Sequence, residues 1–159
     1  MTDTVLPDTL LPVALMLALV LGGLQAGTYY AWASGVMPGL ARVEDRAFVE
    51  VMRQVNLAIV NPVFLASFVG APLAAAAAAF LAEGTARWWA LGAAVLAVAT
   101  VVVTVARNIP LNDALEARGT GDPAAARAGF EGAWRRWNAA RALTSTVSVA
   151  CLGAAAYLS

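Results

Sequence analysis

The sequence predicts an all-α integral membrane protein, a four-helix bundle with amphipathic helical extensions on one side. Three observations predict it. The chain of 159 residues is 61% hydrophobic, with a mean hydropathy of +0.74. Only 13% of it is charged, against roughly 25% in a soluble domain. The apolar residues fall in four runs, each close to the ~20 residues a helix needs to cross a ~30 Å hydrocarbon core. Four spans use about half a chain of this length, which predicts a single membrane domain over residues 1–159.

The first span covers about residues 10–32. Pro7 and Pro12 stand at its start, where proline is tolerated. Ser34-Gly35-Val36-Met37-Pro38-Gly39 is expected to break the helix. Residues 42–60 mix Arg42, Glu44, Asp45, Arg46, Glu50 and Arg53 with apolar positions. They read as an amphipathic helix at or beyond the membrane surface. Asn61-Pro62 then kinks or restarts the chain. The second span, about 63–82, holds Gly70 and an alanine run at 74–79, small residues that let helices approach closely.

Residues 83–87 read as a tight turn, followed by Trp88 and Trp89, which suit the interfacial aromatic belt. The third span covers about 88–105, and Pro110 is expected to end its helix. Gly119, Gly121 and Pro123 mark a loop, with Asp122 capping a new helix and Pro123 at its first position. That helix runs on into the fourth span, about 142–158. No internal repeat is obvious, although both halves share the order span, charged loop, span.

Composition also excludes functions. Ten basic and ten acidic residues give zero net charge, and every basic residue is Arg. A nucleic-acid binder needs a basic surface, so none is expected. With no His and a lone Cys151, the commonest metal ligand and general base are missing, as is any disulfide framework. The first ten residues carry Asp3 and Asp8 and no basic residue, unlike a signal peptide, so the first run is read as a retained helix. Arg42, Arg46 and Arg53 fall in the first loop. Arg107, Arg118, Arg127, Arg135, Arg136 and Arg141 fall in or beside the third, and Arg87 alone lies opposite. The positive-inside rule then places both large loops in the cytoplasm and both termini outside the plasma membrane.

Polar residues within a bundle usually face its interior. Gln25, Thr28, Tyr29 and Trp32 share one helical face, as do Thr100, Thr104 and Arg107. A continuous last helix also aligns Trp134, Asn138, Arg141, Ser145 and Ser148, with Phe130 and Trp137 flanking. Three stripes near the Arg-rich end predict a pocket of aromatics, amides and one or two Arg. Each residue also has a plainer reading. Gln25 and Tyr29 serve equally as bonds between helices. Thr100 and Thr104 suit bonds to their own backbone. Trp32, Trp88 and Trp89 suit belt anchors, Arg135 an ion pair with Glu131, and Arg136 solvent or headgroups. Arg107 and Arg141 fit snorkelling as well as a site. Asn108, Asn112 and Asp113 fit a helix end and new cap around Pro110, and Asn56 and Asn61 suit the break before Pro62.

Three segments carry a family resemblance: residues 29–62 with Val36-Met37-Pro38-Gly39-Leu40, residues 104–115 with Asn108-Ile109-Pro110-Leu111-Asn112-Asp113, and residues 134–144 with Trp134, Trp137, Asn138 and Arg141. In these the chain resembles the anthrone oxygenase family of small membrane proteins, over nearly its whole length and in order. The resemblance implies oxidation of an anthrone to an anthraquinone by O2, without metal or organic cofactor. The family motif falls on Asn108, Pro110, Asn112, Trp134, Trp137, Asn138 and Arg141.

An anthrone has an acidic C–H and a delocalised anion able to reduce O2. Arg141 or Arg107, with Asn108, Asn112 and Asn138, are the candidate donors to the developing oxyanion. Tyr29, Trp134 and Trp137 are candidates to stack on the rings. Asp113, the carboxylate beside the Asn-Pro motif, is the candidate base. The expected partners are a hydrophobic aromatic molecule, O2 and the bilayer, with a homo-oligomer left open. Two rivals stand beside this reading: a non-catalytic binder of an aromatic ligand, quinone or lipid, and a small transporter. The second is disfavoured because no span carries a central acidic residue.

Overall fold

The computed structural model describes residues 5–118 and 121–159; Gly119, assigned above to a loop, lies outside them. Helix α1 (Val5–Ala31) continues through a wide π-turn, π1 (Trp32–Val36), into α2 (Met37–Leu40). A surface helix α3 (Asp45–Ala58) precedes α4 (Pro62–Leu81). After a tight turn, α5 (Gly84–Val103) passes through a second π-turn, π2 (Thr104–Asn108), into α6 (Ile109–Arg118). The last helix, α7 (Pro123–Leu158), is continuous over 36 residues.

Among the described residues, four helices are long and apolar enough to cross a membrane. They pack in the cyclic order α1–α4–α5–α7. Their outward faces are apolar: Met16 is 66% exposed and Phe80 82%. In water such surface would drive aggregation, whereas lipid solvates it. The core between them is mostly alanine. Ala14, Ala18, Ala78, Ala90, Ala93 and Ala155 are buried at the end away from most Arg residues. Small side chains let the backbones come close there. At Gly70 an added Cβ would lie 2.9 Å from Leu21 Cδ1. The Arg-rich end is wider, with a second core of Met37, Phe48, Met52, Leu115, Phe130 and Trp134. The bundle thus tapers from a tight alanine seam to an end that can hold a cavity.

The helices do not break where glycine and proline suggested. Met37 N–H bonds to the Trp32 carbonyl and Ile109 N–H to the Thr104 carbonyl, so each π-turn takes up one extra residue. Each π-turn lies just before a proline, Pro38 or Pro110. A proline ring strikes the carbonyl four residues earlier. Those carbonyls, of Ser34 and Ala106, both lie within the widened turn, so the helix survives. The predicted caps form: Asn61 Oδ1 accepts from Phe64 N–H at 3.0 Å, and Asp122 Oδ1 from Ala125 N–H at 3.1 Å.

Arg127 clamps the loop after α2. Its guanidinium donates to Glu131 (2.8 Å), to Asp45 (3.0 Å) and to the Val43 carbonyl (2.9 Å), and lies over the Phe48 ring at 4.5 Å. Arg127→Ala is expected to cost about 1.5–3 kcal/mol in a thermal melt of the detergent-solubilised protein. Arg127→Lys should recover little, since a compact ammonium lacks the planar fork that spans both carboxylates and the carbonyl while lying over the Phe48 ring. Full stability in the lysine variant would show that charge alone matters.

Candidate functional site

At the wide end the helices part around a cavity of about 160 Å³. One buried water needs only ~10–15 Å³, and a dry apolar cavity of ~150 Å³ takes benzene. An aromatic ring therefore fits inside. Val60, Leu65 and Ile109 line the cavity yet are exposed, which places its mouth between the α3–α4 elbow and the start of α6. The Asn61 cap fixes that elbow, and an Arg53–Glu116 ion pair (2.8 Å through Nε) ties α3 to α6 beside it. The Glu116 carboxylate holds the Arg53 guanidinium above its ordinary pKa.

Arg141 forms the charged wall. It is 7% exposed and sits over the Tyr29 ring at 4.5 Å and the Trp134 ring at 5.4 Å. Its Nη2 donates to Asn138 Oδ1 at 2.9 Å, and Asn138 Nδ2 donates to the Tyr29 carbonyl at 3.0 Å. Asn138 thereby locks α7 to α1 and aims the guanidinium. Among the described residues no carboxylate pairs with Arg141, and its Nε has no hydrogen-bond partner. A buried cation without a counter-ion is costly. The arrangement suits an incoming oxyanion.

Asn108 supplies a second unmet demand. It is 1% exposed and lines the cavity, yet among the described residues neither Nδ2 nor Oδ1 has a partner. Buried polar atoms are nearly always bonded. Asn112 also lines the cavity, and its Oδ1 accepts from Trp134 Nε1 at 3.0 Å. Trp134 meets Trp32 edge to face, with centroids 5.3 Å apart. Tyr29 is fixed from behind: its hydroxyl donates to Gln25 Oε1 at 2.7 Å, and Gln25 Nε2 donates to Ser67 Oγ at 2.7 Å. The site thus offers one cation, free amide groups and several aromatic faces.

The structure gathers Tyr29, Asn108, Asn112, Trp134 and Arg141 around one cavity, and places Asn138 directly behind Arg141. Three predicted residues lie elsewhere. Asp113 is exposed and does not line the cavity, so the predicted base does not reach a molecule held there. Because the helix continues through Pro110, positions 108 and 112 share a face and 113 turns about 100° away. Arg107 is also exposed, and stacks over Trp137 at 5.0 Å outside the cavity. In a regular helix Arg107 would follow Thr104 on the inner stripe. The extra residue of π2 rotates it outward and puts Asn108 in its place. Trp137 is half-buried beside Arg107, not in the cavity.

Sequence reasoning missed other parts of the wall. Asn56, Phe64 and Phe68 line the cavity from the elbow region, while Trp32, on the predicted stripe of the first span and also read there as a belt anchor, lines it too. Asn56 in the last turn of α3 stands three residues before Ile59, which follows that helix, a helical spacing that was available as a signal. That α4 turns Phe64 and Phe68 toward the cavity was not legible in a helix apolar all round. Thr100 and Thr104 do bond their own backbone, at 3.0 and 2.8 Å. Among the described residues no three His, Cys, Asp or Glu converge as metal ligands would.

A family model described as "Anthrone oxygenase" matches residues 57–151, well over half of the chain. The matched region includes Asn108, Asn112, Trp134, Asn138 and Arg141, while Tyr29 and Trp32 lie outside it. No curated protein and no solved structure matches.

Proposed function

The chain belongs to the anthrone oxygenase family, and from that premise we propose that it is a membrane-embedded oxidoreductase that oxidises a flat phenolic or anthrone-type substrate with O2, without an organic cofactor. The observation that carries the reading is Arg141: a buried guanidinium that has no carboxylate partner among the described residues and faces an aromatic-walled cavity. A substrate lying against Tyr29, Trp32 and Trp134 would bring its oxygen to Arg141, with Asn108 available for a second oxygen or hydroxyl. The cation lowers the free energy of the substrate anion, and the proton leaves to water at the mouth. The electron-rich anion then reduces O2. An anthrone and one O2 give an anthraquinone and one water.

The test is oxygen uptake, with quinone absorbance, by purified protein given an anthrone in air. Turnover well above the uncatalysed rate is expected, and a rate equal to the protein-free control sinks the oxygenase reading. Asp113→Asn should keep turnover within about two-fold, because its carboxylate lies outside the cavity. A loss of the size general-base removal gives, about 10²-fold or more, would restore Asp113 as the base.

One observation favours the second reading, a non-catalytic binder of an aromatic ligand, quinone or lipid. Among the described residues no Asp, Glu, His or Cys lines the cavity, so no side chain described there is an ordinary base. Binding of an anthrone without oxygen uptake would select this reading. For location, we place the protein in the plasma membrane with both large loops cytoplasmic and both termini outside. Single cysteines at positions 42 and 87 should then label from opposite sides of intact cells.

A further inference from the structure

On the reverse side of the Arg141 wall, π1, α2 and α7 leave an open groove of about 420 Å³. Its walls are Ala33, Met37, Gly132, Arg135, Arg136 and Ala139, with Asn138 at its floor. Small side chains at 33, 132 and 139 create the space. We propose that this groove binds one anionic phospholipid, with its headgroup phosphate between Arg135 and Arg136 and an acyl chain running along α7.

Depth supports a lipid occupant. Helix α5 starts at Gly84, beside the exposed Glu83 and Arg87. About 20 residues of span carry it from there to about Thr104. Contacts to α7 transfer that level. Thr100 Oγ1 lies 2.7 Å from Thr144 Oγ1, and Arg107 lies over Trp137 at 5.0 Å. The edge of the hydrocarbon therefore meets α7 near Ala139 and Ala140. Arg135 and Arg136 stand about one turn outside it, at headgroup level.

Charge and shape agree with that level. Among the described residues Arg136 has no ion-pair partner. Arg135 has only a long contact to Glu131, 3.7 Å, because the other Glu131 oxygen is held by Arg127 at 2.8 Å. Both guanidinium groups are thus available to a phosphate, which Arg recognises well. Below Arg136 on the same helical face follow the exposed Ala139, Leu143 and Val147. A polar head above an apolar track matches a lipid better than a soluble anion.

The test is native mass spectrometry of the protein from nanodiscs of mixed phosphatidylcholine and phosphatidylglycerol. One phosphatidylglycerol per chain should be retained, at least about ten-fold in preference to phosphatidylcholine. The Arg135→Ala/Arg136→Ala double variant should lose that preference. Arg42→Ala/Arg46→Ala removes the same charge from exposed positions outside the groove and should keep it. Both variants alter exposed side chains, and circular dichroism will confirm their folding. Equal retention of the two lipids, or equal loss in both double variants, overturns the proposal. So does full displacement by soluble glycerol phosphate, which would mark a site for a free anion.

Discussion

Arg141→Ala is expected to lower turnover by about 10²–10³-fold, the scale seen when one preorganised donor to a developing oxyanion is removed. The protein should nonetheless fold and melt close to the parent temperature. Ordinarily a buried Arg is matched by a carboxylate, and cutting such a pair leaves a bare charge costing about 3–5 kcal/mol. Among the described residues Arg141 has no such partner; it lies over two aromatic faces and donates to the Asn138 amide. Truncating it removes an uncompensated charge and leaves Asn138 Oδ1 to rehydrate in a cavity open to solvent. Arg141→Lys keeps the charge but loses the planar group stacked on Tyr29 and Trp134, so an intermediate loss of about ten-fold is expected. Oxygen uptake and a thermal melt on the three proteins check this together. An alanine variant that unfolds while its residual folded fraction turns over normally would make Arg141 a structural residue.

The sequence was read well where a side chain's role follows from helical period alone. Trp134, Asn138, Arg141, Ser145 and Ser148 form one buried stripe because α7 is an uninterrupted helix. Asn61 and Asp122 cap the helices they precede. The reading failed where the period itself changes. A π-turn has no strong sequence signature, and here two of them turn expected breaks at Pro38 and Pro110 into continuous helices. That one difference moves Arg107 and Asp113 out of the site and Asn108 deeper into it. The elbow between α3 and α4 was also out of reach. Its contribution depends on how the surface helix folds back, and local composition does not encode that angle.

Asn108 gives the second large effect, and its sign separates function from structure. A buried amide with neither polar atom bonded costs about 1–3 kcal/mol per unsatisfied group. Asn108 carries two such atoms at 1% exposure. A leucine there has similar reach and no polar demand, so Asn108→Leu should raise stability by about 1–2 kcal/mol. If the amide exists to meet a substrate oxygen or hydroxyl, the same variant should lose turnover or ligand affinity by about ten-fold or more. Residues kept for function against stability show this opposition. A residue kept for packing shows the reverse, with stability lost and activity following it. The melt and the oxygen-uptake rate of one variant therefore decide the matter. A leucine variant that is both less stable and fully active would remove Asn108 from the site, leaving Arg141 as its main polar determinant.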